Sequence, residues 1–96
     1  MSSKLSPKKA ALYDRIDEIL WSDWDPIGCN EYEAARDEYH SYLPHVFSLA
    51  IEGNDTYKIS NFLHECETIN MGLAGNKKRC DAVAVLICSE RDKTYP

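Results

Sequence analysis

Three histidines, four cysteines and sixteen carboxylates are the residues of this 96-residue chain that could do chemistry, and their spacing decides which chemistry. His40, His45 and His64 fall on three separate segments. His64-Glu65-Cys66 is the one local cluster that suggests a metal, and nothing in the spacing brings further ligands to it. Cys29, Cys66, Cys80 and Cys88 are separated by 37, 14 and 8 residues with no C-x-x-C, so they read as reduced thiols packed as small hydrophobes. Glu33 and Asp37 stand four apart, as do Asp14 and Glu18. Such pairs can flank a scissile bond or hold a hard cation. A metal-dependent hydrolase built on Glu33, Asp37 and a histidine is therefore the enzymatic alternative. No Gly-rich phosphate loop, G-x-S-x-G or H-E-x-x-H is present. The expectation is a protein with no catalytic residue, no metal and no cofactor.

Charge is more informative. Residues 1–15 carry a net +3, residues 16–57 a net −9, residues 58–76 a net −1 and residues 77–96 a net +2. In the acidic middle, ten carboxylates face Arg36 as the sole Lys or Arg. Such a surface repels phosphate, which excludes a nucleic-acid partner, and attracts basic protein surfaces. Trp21, Trp24, Tyr32, Tyr39 and Tyr42 concentrate in the same stretch. Tryptophan and tyrosine dominate both cores and binding hot spots.

The elements that must position these residues read as helices. Apolar residues are 44% and charged residues 28% of the chain, a globular balance. Ser6-Pro7 opens a first helix with Leu12, Ile16, Ile19 and Leu20 on one stripe, ending near Trp21 to Asp23. A turn-rich connector runs to Asn30, which is expected to cap a second helix with Glu33 completing the box and Tyr32, Ala35, Tyr39 and Tyr42 inward. Val46, Phe47, Ala50 and Ile51 mark a short helix from Pro44, closed by Gly53. Asp55 caps a helix with Ile59, Phe62, Leu63, Cys66 and Ile69 inward, and Gly72 stops it. Asn76 caps the last, with Cys80, Val83, Ala84 and Ile87 inward. The predicted fold is all-α, a single bundle of four to five helices over residues 1–96 with an ordered core of about 6–90. The longest apolar run, Ala82 to Cys88, is seven residues against the ~18 needed to span a bilayer, and no signal-peptide h-region is visible. No membrane partner is expected, and the expected compartment is the cytoplasm.

Trp24-Asp25-Pro26-Ile27-Gly28 resembles a W-D-P-[IF]-G motif of small all-helical bacterial proteins, in which it follows a first helix. Ala35-Arg-Asp-Glu-Tyr39, Tyr42-Leu-Pro44 and Asn70-Met-Gly72 look like further parts of that pattern, and the likeness covers roughly residues 12–88. Such proteins are similar to the immunity proteins encoded beside contact-dependent growth inhibition toxins. The resemblance implies a bundle that binds and neutralises a cognate toxin domain. Within the motif, Asp25 is expected to accept from backbone N–H groups beyond the proline, and Trp24 to plug the gap between the first two helices. Nuclease toxins need basic surfaces, so the expected partner is a basic, nuclease-type toxin domain. The candidate partner-binding residues are Asp23, Trp24, Asp25, Glu31, Tyr32, Glu33, Asp37 and Glu38, with Trp24 and Tyr32 as anchors. A non-toxin adaptor or regulator is the other alternative. Neutralising Glu65 and Glu67, outside the acidic middle, is expected to weaken binding much less than neutralising Glu33 and Asp37.

Overall fold

Short polar side chains start three of the helices, as their sequence positions predict. Ser6 Oγ accepts from the Lys9 amide at 3.2 Å and opens α1 (Pro7–Ile19). Asp55 accepts from Tyr57 N at 3.1 Å and opens α3 (Thr56–Glu65). Asn76 Oδ1 accepts from Arg79 N at 3.0 Å and opens α4 (Lys77–Thr94). α2 (Leu43–Ile51) has no side-chain cap and carries Pro44 in its first turn, where the missing N–H costs nothing. These elements belong to a computed structural model that describes residues 6–53 and 55–95. Lys4, part of the basic N-terminal segment, lies outside the described residues.

The fold is an all-α bundle organised around α4, which packs against α3, α1 and α2. Leu12, Ile16, Ile19 and Leu20 bury the α1 stripe; Ile59 and Leu63 bury that of α3; Cys80, Val83, Ala84 and Ile87 bury that of α4. Ser60, buried on α3, donates to Asp81 and accepts from Lys77 Nζ at 2.7 Å, tying the two helices with polar bonds. Among the described residues no helix is long and apolar enough to cross a membrane.

Two of the helices do not end in α geometry. α1 runs into a π-turn (Leu20–Trp24), closed by Asp25 N donating to Leu20 O at 3.0 Å. α3 runs into a second (Cys66–Asn70), closed by Met71 N donating to Cys66 O at 3.0 Å. A π-turn inserts one residue into the helical ladder and rotates everything after it. The effect on the second is a correction to the periodic reading. Ile69, expected inward, is 75% exposed, while Glu67 takes the inward place at 1%. The connector after it crosses α3 closely. Gly75 has φ +90°, and a Cβ there would stand 2.6 Å from His64 Nε2 and 2.8 Å from Thr68 Cγ2, so the crossing requires glycine.

The expected second helix, capped by Asn30, does not form. A single 3₁₀ turn (Glu33–Ala35) is followed by successive turns up to α2. Their bonds span three residues: Arg36 N to Glu33 O, Glu38 N to Ala35 O, His40 N to Asp37 O and Tyr42 N to Tyr39 O. Three local causes favour this. Tyrosine, aspartate, histidine and serine are middling helix formers, and they crowd residues 37–42. Glu33 and Asp37 would repel at helical spacing. Asn30, expected as the cap, donates its Nδ2 to Ser22 O at 3.5 Å instead. At three residues per turn, side chains three apart eclipse. Arg36, Tyr39 and Tyr42 therefore face the bundle, and Tyr32, expected inward, is 65% exposed.

Candidate protein-binding face

The W-D-P-I-G stretch is a knot of internal bonds. Trp24 is fully buried, with its ring 5.3 Å from Tyr39 and 5.9 Å from Tyr42 between centroids. Its Nε1 donates to Glu67 Oε2 at 2.7 Å, so each π-turn holds the other. Asp25 takes a left-handed conformation, φ 32° and ψ 59°. Its carboxylate accepts from Cys29 N at 2.9 Å, Asn30 N at 3.3 Å and the Tyr39 hydroxyl at 2.6 Å. That hydroxyl in turn accepts from Ile27 N at 3.2 Å and Cys29 Sγ at 3.5 Å. Burial, then the bonds to Asp25 and Cys29, push the Tyr39 hydroxyl well above its ordinary pKa. Arg79 Nη1 caps the turn, donating to Trp24 O at 3.0 Å.

The expected Asx-type turn is thus present and Trp24 is the plug, filling the core against the turn segment rather than against a second helix. Two candidate contact residues are corrected by the same geometry. Trp24 offers no surface to a partner, and the Asp25 carboxylate is already occupied by three donors of its own chain.

The other six candidates lie in the open. Asp23, Glu31, Tyr32, Glu33, Asp37 and Glu38 are all exposed, and no ion pair reaches any of the five acids among the described residues. Arg36 and His40, close enough in sequence to offset Glu33 and Asp37, turn away from them. Arg36 holds Asp17 of α1 through two bonds, 3.0 and 3.2 Å, and its guanidinium lies 5.3 Å from the Trp21 ring centre. His40 Nε2 stands 3.2 Å from the same carboxylate. Arg36, the sole Lys or Arg of residues 16–57, is committed to Asp17 rather than to the acids beside it. Among the described residues no group of three or more His, Cys, Asp and Glu side chains is placed to hold a metal ion.

Glu67 is the residue that sequence reasoning missed. Set beside Glu65 only as a control for binding, it is buried, and its carboxylate bonds are internal. Oε2 accepts from Trp24 Nε1 and from Cys80 Sγ at 3.3 Å; Oε1 accepts from Asn76 N at 2.7 Å. The signal that could have found it is Trp24: a buried indole N–H needs an acceptor. A pocket of about 210 Å³ opens beside it, lined by Pro26, Glu67, Leu73, Gly75, Asn76 and Arg79.

The thiols follow their packing. Cys66, Cys80 and Cys88 are buried and Cys29 is half-buried. Burial, then the charges of Glu65 and Glu67, push Cys66 up to about 12. Burial, then the hydrogen bond and charge of Glu67, do the same to Cys80, also to about 12. A folded-state pKa raised above the ordinary 9.0 adds stability below pH 9 that disappears as pH climbs toward 12. Urea midpoints should therefore fall steadily between pH 9 and 11. A midpoint flat across that range would show the two thiols ionise freely. With a thiol reagent at neutral pH, Cys29 should react first in the native protein and the other three only on unfolding.

No family model, curated protein or solved structure matches this chain.

Proposed function

We propose that this chain is a binding protein and not an enzyme: an immunity protein that covers the basic surface of a cognate toxin domain, with a nuclease as the toxin class. One observation carries the reading. Four exposed carboxylates, Glu31, Glu33, Asp37 and Glu38, share a short segment with the exposed Tyr32, and a fifth, Asp23, lies exposed in the preceding π-turn. Among the described residues none of the five has an ion pair, while Arg36 is paired with Asp17. A nuclease must be basic where it holds phosphate. An acidic partner docked there blocks substrate and associates fast, with on-rates raised by ~10- to 1000-fold at low salt. Tyr32 supplies a rigid aromatic contact inside a charged rim, the usual anatomy of an interface. The resemblance of the W-D-P-I-G stretch supports the toxin as partner class; the charge pattern supports only that the partner is basic.

The test is co-purification with the protein encoded immediately upstream, in an inactive form. Retention of a basic toxin domain, weakening as salt rises mainly through a slower on-rate, is the expected result. Glu33→Gln with Asp37→Asn should weaken that complex and leave the melting temperature within a few degrees, because exposed charges contribute roughly 0–1 kcal/mol. Glu65→Gln, on α3, should change little. A double variant that binds like the wild type at both low and high salt would place the interface elsewhere, on the basic N- or C-terminal segments.

A further inference from the structure

We infer that Asp17 is the positioning residue of the acidic face: through Arg36 and His40 it holds segment 30–38 in place against α1. The functional half of this inference rests on the binding role proposed above; the structural half does not. From Asn30 to Glu38 only Ala35 and Arg36 are even half-buried, and every other side chain is exposed. Among the described residues, Arg36 is the one side chain from Glu31 to Glu38 with a hydrogen bond or ion pair outside the segment. The segment has no α-helical ladder of its own to stiffen it. Its two ends are secured by the Asp25–Tyr39 knot, and its middle by the Asp17 carboxylate with the Trp21 ring beside the guanidinium.

The geometry is that of a strong pair. Two parallel N–H···O bonds fix the guanidinium plane, and the Trp21 ring lies 5.3 Å from it. His40 Nε2 stands 3.2 Å from the same carboxylate. The side chains of the pair are about a quarter and a third exposed, so solvent screens it only in part. The arrangement also sets charge. With Arg36 paired to Asp17, no ion pair reaches Glu31, Glu33, Asp37 or Glu38 among the described residues. Asp17 therefore shapes the face twice, in position and in potential, without belonging to it.

The experiment is amide hydrogen exchange on the free full chain, for wild type, Asp17→Asn and the charge swap Asp17→Arg with Arg36→Asp. Asp17→Asn should exchange about tenfold faster over residues 30–38 while α3 and α4 keep their protection. The swap, which preserves net charge, should restore part of the protection. Unchanged exchange over 30–38 in Asp17→Asn overturns the inference. So does an equal loss of protection across the whole bundle, because Asp17 would then be a general structural group. Binding to the upstream-encoded protein is read separately. If wild type does not bind it, the proposed function fails and the exchange result stands. If wild type binds it and Asp17→Asn binds as tightly despite a loosened segment, the positioning role fails alone.

Discussion

Trp24→Ala should strip this domain of a large share of its stability. The indole is fully buried where the first π-turn meets Tyr39, Tyr42 and Glu67. Truncating a buried tryptophan costs about 3–5 kcal/mol through lost burial and the cavity left behind. A domain of this size holds only about 5–15 kcal/mol in total. Trp24→Phe separates shape from polarity. It keeps most of the ring and removes the N–H, so it should cost about 1–3 kcal/mol, the price of leaving Glu67 short of a donor. Urea denaturation followed by far-ultraviolet circular dichroism gives both numbers. A cost below 1 kcal/mol for Trp24→Ala would mean the indole is not the plug that the geometry makes it.

The second large effect is expected at Glu67, where composition suggests none. Glu67→Gln replaces one acceptor oxygen by a donor. Whichever way the amide turns, an N–H then faces either the Trp24 indole N–H or the Asn76 amide. Each donor stranded in this way costs about 1–3 kcal/mol. Glu65→Gln, two residues away and exposed, should stay within about 0.5 kcal/mol of wild type. Combining Trp24→Phe with Glu67→Gln should give a coupling of about 0.5–3 kcal/mol, because the two side chains share one bond. Simple additivity would show that the 2.7 Å contact contributes nothing to stability.

The helices were legible because their signals are local. Ser6, Asp55 and Asn76 cap where their types and spacing require, and Ile59, Leu63, Cys80, Val83, Ala84 and Ile87 are buried as a 3.6-residue period demands. The misreadings share one physical origin: a departure from that period. Residues 30–42 were expected as a helix, yet turns of three residues swing Tyr32 outward and Arg36 inward. One extra residue in the second π-turn exchanges Ile69 for Glu67. Neither shift leaves a mark in hydrophobic spacing: the turns follow from propensity and like-charge repulsion within the segment, and the inward Glu67 meets a distant partner, Trp24. The site residues divide the same way. The exposed acids could be read from charge alone. Trp24 and Asp25 carried two readings, structural and contact, and only the structural one survives, because the indole is buried and the carboxylate is held by Cys29 N, Asn30 N and the Tyr39 hydroxyl.

The turn segment has a consequence for how this protein can change over generations. Glu31, Tyr32, Glu33, Ala34, Asp37 and Glu38 are all exposed, and among the described residues their side chains have no hydrogen bond or ion pair outside the segment. Trp24, Asp25, Arg36 and Tyr39 hold the surrounding framework. Substitutions at the first group leave the packed interior untouched, so they face little purging for stability. Surface identity can therefore drift, and a surface tuned to one partner can be retuned to another, while the four framework residues stay as they are. Fold and recognition are written in different letters of the same short stretch, and only one set is free to vary.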